Sequence, residues 1–192
     1  MKESKEIEIK FAIADLRAIG RKLKAAGFRQ VTPRTHEMNT LYDAADQSLR
    51  NRGELLRLRK YGRKWVLTHK AGAALGRHKV RVETETTVED GVRMERILRA
   101  LGLAPGFRYE KFRAEWSQGA GHVVLDETPI GNFGEIEGPA RWIDRTARAL
   151  GIQPEDYITQ NYAGLFLEWK ARTGSEANEM LFAEVKGKRT TS

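Results

Sequence analysis

The chain has 192 residues, a net charge of +8 from 34 Lys and Arg against 26 Asp and Glu, and no cysteine. That length suits one domain with its own core, and the missing cysteine excludes disulfides, thiolate catalysis and Cys-based zinc sites while agreeing with a cytoplasmic setting. Residues 1–10 hold no apolar signal core, and apolar stretches such as 163–167 are far too short to span a bilayer, so no membrane span is expected. The positive surplus favours an anionic partner, and charge alone does not choose among nucleic acid, an acidic membrane surface and a phosphorylated small molecule.

Ser4–Ile13 alternates: Glu6, Glu8 and Lys10 share one face, and Ile7, Ile9 and Phe11 the other, the period of a strand. Asp15 can cap a helix in which Leu16, Ile19, Leu23 and Ala26 recur at helical spacing up to Gly27. Residues 28–42 read as a long extended stretch bent near Pro33, and 43–52 as a polar connection. Residues 54–61 and Lys64–Lys70 alternate again across a turn at Gly62 and Arg63, predicting a hairpin. A Gly-rich loop over 71–76 follows; it lacks the Gly-Lys-Ser/Thr ending of a phosphate-binding P-loop.

Lys79–Val88 is a further strand, and Asp90 starts an amphipathic helix that stops at Gly102. Residues 107–116 place Tyr109, Lys111, Arg113 and Glu115 on one side. Turns at 119–121 and 129–131 separate strands over 122–127 and 132–138. A short helix over 141–150 and a longer one over 154–172 close the pattern. The tail holds an apolar patch at 180–185 and a basic end at 186–189. Eight strands joined mostly by hairpins imply an α+β fold: an antiparallel sheet closed into a barrel, with helices packed outside. The expected division is a tunnel domain over 1–173 and a partly disordered tail over 174–192.

Charge recurs at every second strand position. Glu6, Glu8 and Lys10 share a face, as do Arg57 and Arg59, then Arg81, Glu83 and Glu85, then Lys111 and Arg113, then Glu135 and Glu137. Lys70 and Asp126 stand near the ends of their strands. Any one such face, alone, reads as ordinary wet surface. Acids at i and i+2 on three strands argue otherwise, because like charges so close repel unless a cation sits between them. If the faces turn inward, the carboxylates supply hard oxygen ligands for Mg²⁺ or Mn²⁺, and the Arg and Lys groups clamp a polyanion. The four His residues have no zinc-ligand spacing, and Trp65, Trp116, Trp142 and Trp169 read as packing residues.

Glu6-Ile7-Glu8-Ile9-Lys10 resembles the ExExK signature of the CYTH superfamily, the triphosphate tunnel metalloenzymes. The resemblance continues in order through Leu56-Arg57-Leu58-Arg59, residues 65–70, Arg81-Val82-Glu83-Thr84-Glu85, Lys111-Phe112-Arg113, Leu125-Asp126 and Gly134-Glu135-Ile136-Glu137, and covers roughly 5–171. It implies an eight-stranded tunnel that takes a triphosphate with Mg²⁺ or Mn²⁺. Glu6, Glu8, Glu135 and Glu137 then match metal-binding acids. Glu83, Glu85 and Asp126 match tunnel acids that hold metal or orient the bases. Lys10, Arg57, Arg59, Lys70, Arg81, Lys111 and Arg113 match phosphate-binding bases, and Lys10 and Glu8 take the catalytic places. Tyr162 and Lys170 are alternatives for a residue that closes the tunnel from a C-terminal helix.

The family includes inorganic tripolyphosphatases, thiamine triphosphatases and class IV adenylyl cyclases. The resemblance therefore implies hydrolysis of tripolyphosphate, thiamine triphosphate or ATP, with cyclisation of ATP to cyclic AMP and diphosphate as the alternative. A non-catalytic binder of polyphosphate, nucleotide or RNA is a third reading. Nucleic acid is disfavoured, because the polar strand faces carry almost no aromatics on which bases would stack. A homodimer is compatible with the chain.

Overall fold

The computed structural model of the protein describes residues 4–72, 74, 76 and 78–185. Eight strands run in chain order: β1 (Ser4–Ile13), β2 (Arg29–Asp43), β3 (Leu55–Tyr61), β4 (Lys64–Lys70), β5 (Lys79–Val88), β6 (Ala104–Gln118), β7 (Gly121–Thr128) and β8 (Gly131–Glu137). They close into a barrel in the order β1-β5-β4-β3-β2-β6-β7-β8, every pair antiparallel. Closure fixes which way each alternating face points. The charged faces of β1, β3, β5, β6 and β8 turn inward, and the apolar side chains of the opposite faces supply the core beneath the helices.

The core therefore lies outside the barrel. Helices α1 (Leu16–Ala25) and α4 (Ala140–Leu150) cover β1, β6, β7 and β8 through Ile9, Phe11, Leu23, Val123, Ile136, Ile143 and Leu150. Leu23, Val123, Ile136 and Ile143 have no exposed surface, so each contributes about 1.5–3 kcal/mol of burial. Helix α3 (Gly91–Ala100) sets Leu98 against Tyr42 and Leu58 of β2 and β3. Asp15 and Asp90 cap α1 and α3, each carboxylate accepting two backbone N–H groups at 2.7–3.0 Å. β2 shifts register twice between Gln30 and Thr35, the irregularity expected around Pro33.

Two stretches differ from the pattern read in the sequence. The connection after β2 contains a one-turn helix, α2 (Ser48–Asn51), because Asp43 accepts the N–H groups of Leu49 and Arg50, both at 3.0 Å. The helix expected over 154–172 is broken. A 3₁₀ turn (Pro154–Asp156) leads into extended chain, where the Ile158 N–H donates to the Lys10 carbonyl at 2.8 Å. Helix α5 (Tyr162–Thr173) begins only after Asn161, whose side chain accepts the Gly164 N–H at 2.9 Å. Propensity gave way to a backbone partner: β1 outruns β5, and residue 158 takes the freed position.

Helix α5 crosses one end of the barrel. Tyr162 and Phe166 pack there with Tyr109, Phe133 and the fully buried Met180. Met180 exchanges backbone hydrogen bonds with Arg108 and Glu110 at 3.0 and 3.1 Å, and α6 (Phe182–Val185) follows. Residues 177–185 thus pack on the barrel; the basic stretch 186–189 lies outside the described residues. Among the described residues, no helix is long and apolar enough to cross a membrane.

Candidate active site

The barrel encloses a cavity of about 430 Å³ lined by side chains of all eight strands and by Asn161, Tyr162 and Ala163 at the start of α5. Strand alternation and closure alone produce this lining. Of the sequence-predicted site residues, Glu6, Glu8, Lys10, Arg57, Arg59, Lys70, Arg81, Glu83, Glu85, Lys111, Arg113, Glu135 and Glu137 line it. Asp126 is fully buried on the same inward face as Val124, covered by Lys111, Arg113 and Tyr162. Lys170 does not line the cavity; its ammonium stands 5.7 Å from the Phe166 ring.

The charges alternate around the tunnel as one circuit. Lys70 bridges Glu6 at 2.7 Å and Glu83 at 2.8 Å, and Glu83 reaches Arg57 at 4.0 Å. Arg57 donates to Thr68 at 3.4 Å, Thr68 donates to Glu85 at 3.0 Å, and Arg59 pairs with Glu85 at 3.1 Å. Arg59 stands 3.9 Å from Glu37, which lies 3.4 Å from Lys111. Asp126 then takes Lys111 at 2.9 Å and Arg113 at 2.6 Å. Arg113 pairs with Glu135 at 2.6 Å, and Glu135 with Lys10 at 3.2 Å, which returns the circuit to β1.

Four groups have a special place in this electrostatics. Glu37 is fully buried; burial alone would raise its pKa, but Lys111, Arg113, Arg59 and Arg57 hold it well below the usual carboxylate range. Tyr162 donates its hydroxyl to Asp126 at 2.6 Å, and its ring lies 4.2 Å from the Lys10 ammonium and 4.7 Å from that of Lys111. Burial, then the charges of Asp126 and Glu135, keep this phenol protonated well above its ordinary range. Arg81 donates to the Gly53 carbonyl at 2.7 Å and has no ion pair among the described residues; burial pushes its pKa down. Glu137 also lacks an ion pair among the described residues. The residue keeps accessible surface, yet the tunnel walls crowd its carboxyl; burial, then Glu6 and Glu8, push it up to about 7, with Lys70 opposing.

The donor set suits a hard divalent cation, being carboxylate oxygen without a soft ligand. Glu6, Glu8 and Glu137 repel one another across one wall, a strain that a cation between them would relieve. Among the described residues no three acidic or His groups already stand together as a ligand cage. Instead Glu6 holds Lys70, and Glu8 holds Lys79 at 2.8 Å.

The tunnel also contains groups that the sequence reading left out. Lys79, Glu115 and His122 line it, and Glu37, Asn39 and Thr68 are fully buried polar residues of the inward faces. The signal for Lys79 was present, since it shares the face of Arg81, Glu83 and Glu85. Glu115 stands in the same alternation as Lys111 and Arg113. Glu37 and Asn39 sit in a strand whose alternation carries mixed polar and apolar residues on both faces, so nothing in their spacing marked them.

A family model, described as the CYTH domain, matches residues 4–162. The chain belongs to the CYTH domain family. A relative from Methanocaldococcus jannaschii, provisionally named an adenylate cyclase, is 27% identical over 171 residues, covering 83% of this chain and 97% of its own. Among solved structures, a Vibrio parahaemolyticus protein, also provisionally named an adenylate cyclase, superposes with a TM-score of 0.76 at 19% identity, covering 86% of this chain and 99% of its own. The PH1012 protein of Pyrococcus horikoshii gives 0.71 at 23% identity, covering 83% and 98%. HpAC1 of Hippeastrum, provisionally named an adenylyl cyclase and described as having a dominant triphosphatase activity, gives 0.57 at 22% identity, covering 85% and 95%. These likenesses establish the CYTH tunnel as the fold of this chain.

Proposed function

We propose that the tunnel binds the triphosphate of a small substrate together with Mg²⁺ or Mn²⁺ and hydrolyses it. The observation that carries this reading is a set of orphaned donors: the Nε–H groups of Arg57, Arg59 and Arg81, all cavity-lining residues, are buried without an acceptor among the described residues. Buried donors are almost always satisfied. Three guanidinium groups turned to one cavity suit the oxygens of a bound polyanion.

Glu6, Glu8 and Glu137 would hold the cation, with Glu83 nearby. The cation supplies Lewis acidity and lowers the pKa of a water beside the phosphate. Arg57, Arg59, Arg81, Lys111 and Arg113 bind the phosphate chain and offset charge that builds on the leaving diphosphate. Lys10, fixed between Glu135 at 3.2 Å and the Gln160 carbonyl at 3.2 Å, orients the water toward the terminal phosphorus. In the hydrolysis a water oxygen forms the new bond to that phosphorus and the bridging P–O bond breaks. Asp126, whose two oxygens accept from Lys111, Arg113 and Tyr162, would orient the bases rather than hold the cation.

Class IV adenylyl cyclase activity is the second reading, favoured by the names of the Methanocaldococcus and Vibrio relatives. There the ribose 3′-hydroxyl of ATP attacks the α-phosphorus and diphosphate leaves. Incubation with tripolyphosphate, thiamine triphosphate and ATP, each with Mg²⁺ or Mn²⁺, followed by separation of products, tests the proposal. Orthophosphate, lost on chelation, is the expected result. Cyclic AMP with diphosphate would replace it with the cyclase reading, and binding without turnover would leave a polyphosphate-binding module.

A further inference from the structure

Glu6 and Glu8 face the tunnel, yet each already holds an ammonium group. The Lys79 Nζ lies 2.8 Å from Glu8, with both side chains only 13% exposed. Lys70 is shared between Glu6 and Glu83, whereas Glu8 is the one carboxylate that Lys79 touches among the described residues. Lys79 opens β5, and its Cα is the last on that strand to pair with β1, opposite Glu8. Beyond that pair the wall forks: Lys10 turns its carbonyl to Ile158 instead. Lys79 thus stands at the edge of the barrel wall, on a flexible stem that lines the cavity.

We propose that Lys79 is a resident counter-cation of Glu8, and that its exchange for a divalent cation couples metal binding to polyphosphate binding. The inference rests on reading the tunnel as a metal–triphosphate site. A mostly buried ion pair resists separation, because removing one partner strands the other's charge away from water. Lys79 therefore leaves Glu8 when another cation takes that carboxylate. Its own charge then has the cavity to turn to, where a polyphosphate supplies the acceptors. A lysine suits such an exchange better than an arginine, being a compact point charge with freely turning donors. Linkage makes the effect mutual: an anion that draws Lys79 away opens Glu8 to metal, and metal at Glu8 frees Lys79 for the anion.

The probes are Mn²⁺, followed by the electron-paramagnetic-resonance signal of the free ion, and imidotriphosphate, a tripolyphosphate analogue with NH in place of the bridging oxygens. In the full-length wild type, the analogue should tighten Mn²⁺ binding by about tenfold, within the usual range of coupled sites, and Mn²⁺ should tighten the analogue by the same factor. Lys79→Met should bind Mn²⁺ several-fold more tightly than wild type without the analogue, and the tightening on adding it should shrink. In a Glu8→Gln background Lys79→Met should change neither quantity. That cycle separates exchange at Glu8 from a general effect of removing a positive charge. If Lys79→Met does not fold, Lys79→Gln takes its place, and the wild-type reciprocity stands as an independent measurement. Equal Mn²⁺ affinity and equal coupling in wild type and variant would overturn the role of Lys79 and leave the metal–triphosphate reading intact. Failure of the wild type to bind Mn²⁺ with or without the analogue would overturn that reading, and the inference with it.

Discussion

Glu137 stands at the tunnel wall without an ion partner among the described residues, whereas the buried Asp126 has two, Lys111 and Arg113, and a hydrogen bond from Tyr162. The contrast decides how each responds to change. Glu137 is crowded by walls and by Glu6 and Glu8, so its folded-state pKa lies above the unfolded value of 4.5, near 7. For a carboxyl shifted upward, the charged form is the one the fold disfavours. The penalty is absent below the unfolded pKa and grows as pH rises through the folded one. Glu137→Gln should therefore stabilise the metal-free protein at pH 8 by up to about 1 kcal/mol, a figure reduced for the water that reaches this group, and should have no such effect at pH 4. Thermal melts at the two pH values check the sign. The same variant should lose metal-dependent turnover.

Asp126→Ala should act in the opposite sense. It removes the common acceptor of Lys111, Arg113 and Tyr162. Lys111 keeps Glu37 and Arg113 keeps Glu135, so the cost should fall at the low end for breaking a buried pair, about 3 kcal/mol. Urea unfolding of the metal-free protein would read it. An unaltered midpoint would return Asp126 to the candidate metal ligands.

At the level of strands and helices, the seam between β1 and β8 depends on one close approach. Phe11 lies opposite Gly134, and a Cβ on that glycine would fall 2.2 Å from the Phe11 ring. Gly134→Ala should cost about 1–3 kcal/mol through overpacking, measurable as a lower urea midpoint. Most strand positions were legible because most strands alternate between a charged face and an apolar face, and period two needs no tertiary information. The helix starts at Asp15 and Asp90 were legible for the same local reason. The break at 157–161 was not, since it arises from Lys10, about 150 residues away in the chain, offering a carbonyl to Ile158. Within the site, clustered like charges were readable. The split between cavity-facing acids and the buried acids Asp126 and Glu37 depends on barrel radius and register, which spacing alone does not carry.

Taken whole, the molecule is a barrel with its charges inside and its apolar core outside. Such an interior is costly without a ligand, because many of its charges are satisfied only by one another. A bound polyanion and cation should therefore stabilise the fold strongly. By mass action, saturation at a hundredfold excess over Kd adds about 2.7 kcal/mol, a rise in melting temperature of several degrees. A melt with Mg²⁺ and imidotriphosphate together, compared with each alone, checks this. No change with the pair would mean that the tunnel does not take them.

The circular strand order has its own consequence for how the chain matures. Of the eight strands β1 is made first but must wait for both β5 and β8, and Lys10 meets Glu135 only after the other seven strands have begun to emerge. Pairings this distant in sequence form slowly. Meanwhile the first strand is a lone ribbon with both backbone edges bare, the state most open to pairing with a neighbouring molecule. Glu6, Glu8 and Lys10 guard it then, since ionised side chains discourage intermolecular sheet growth. The same three residues thus protect the nascent polypeptide before they ever meet the cavity they will line.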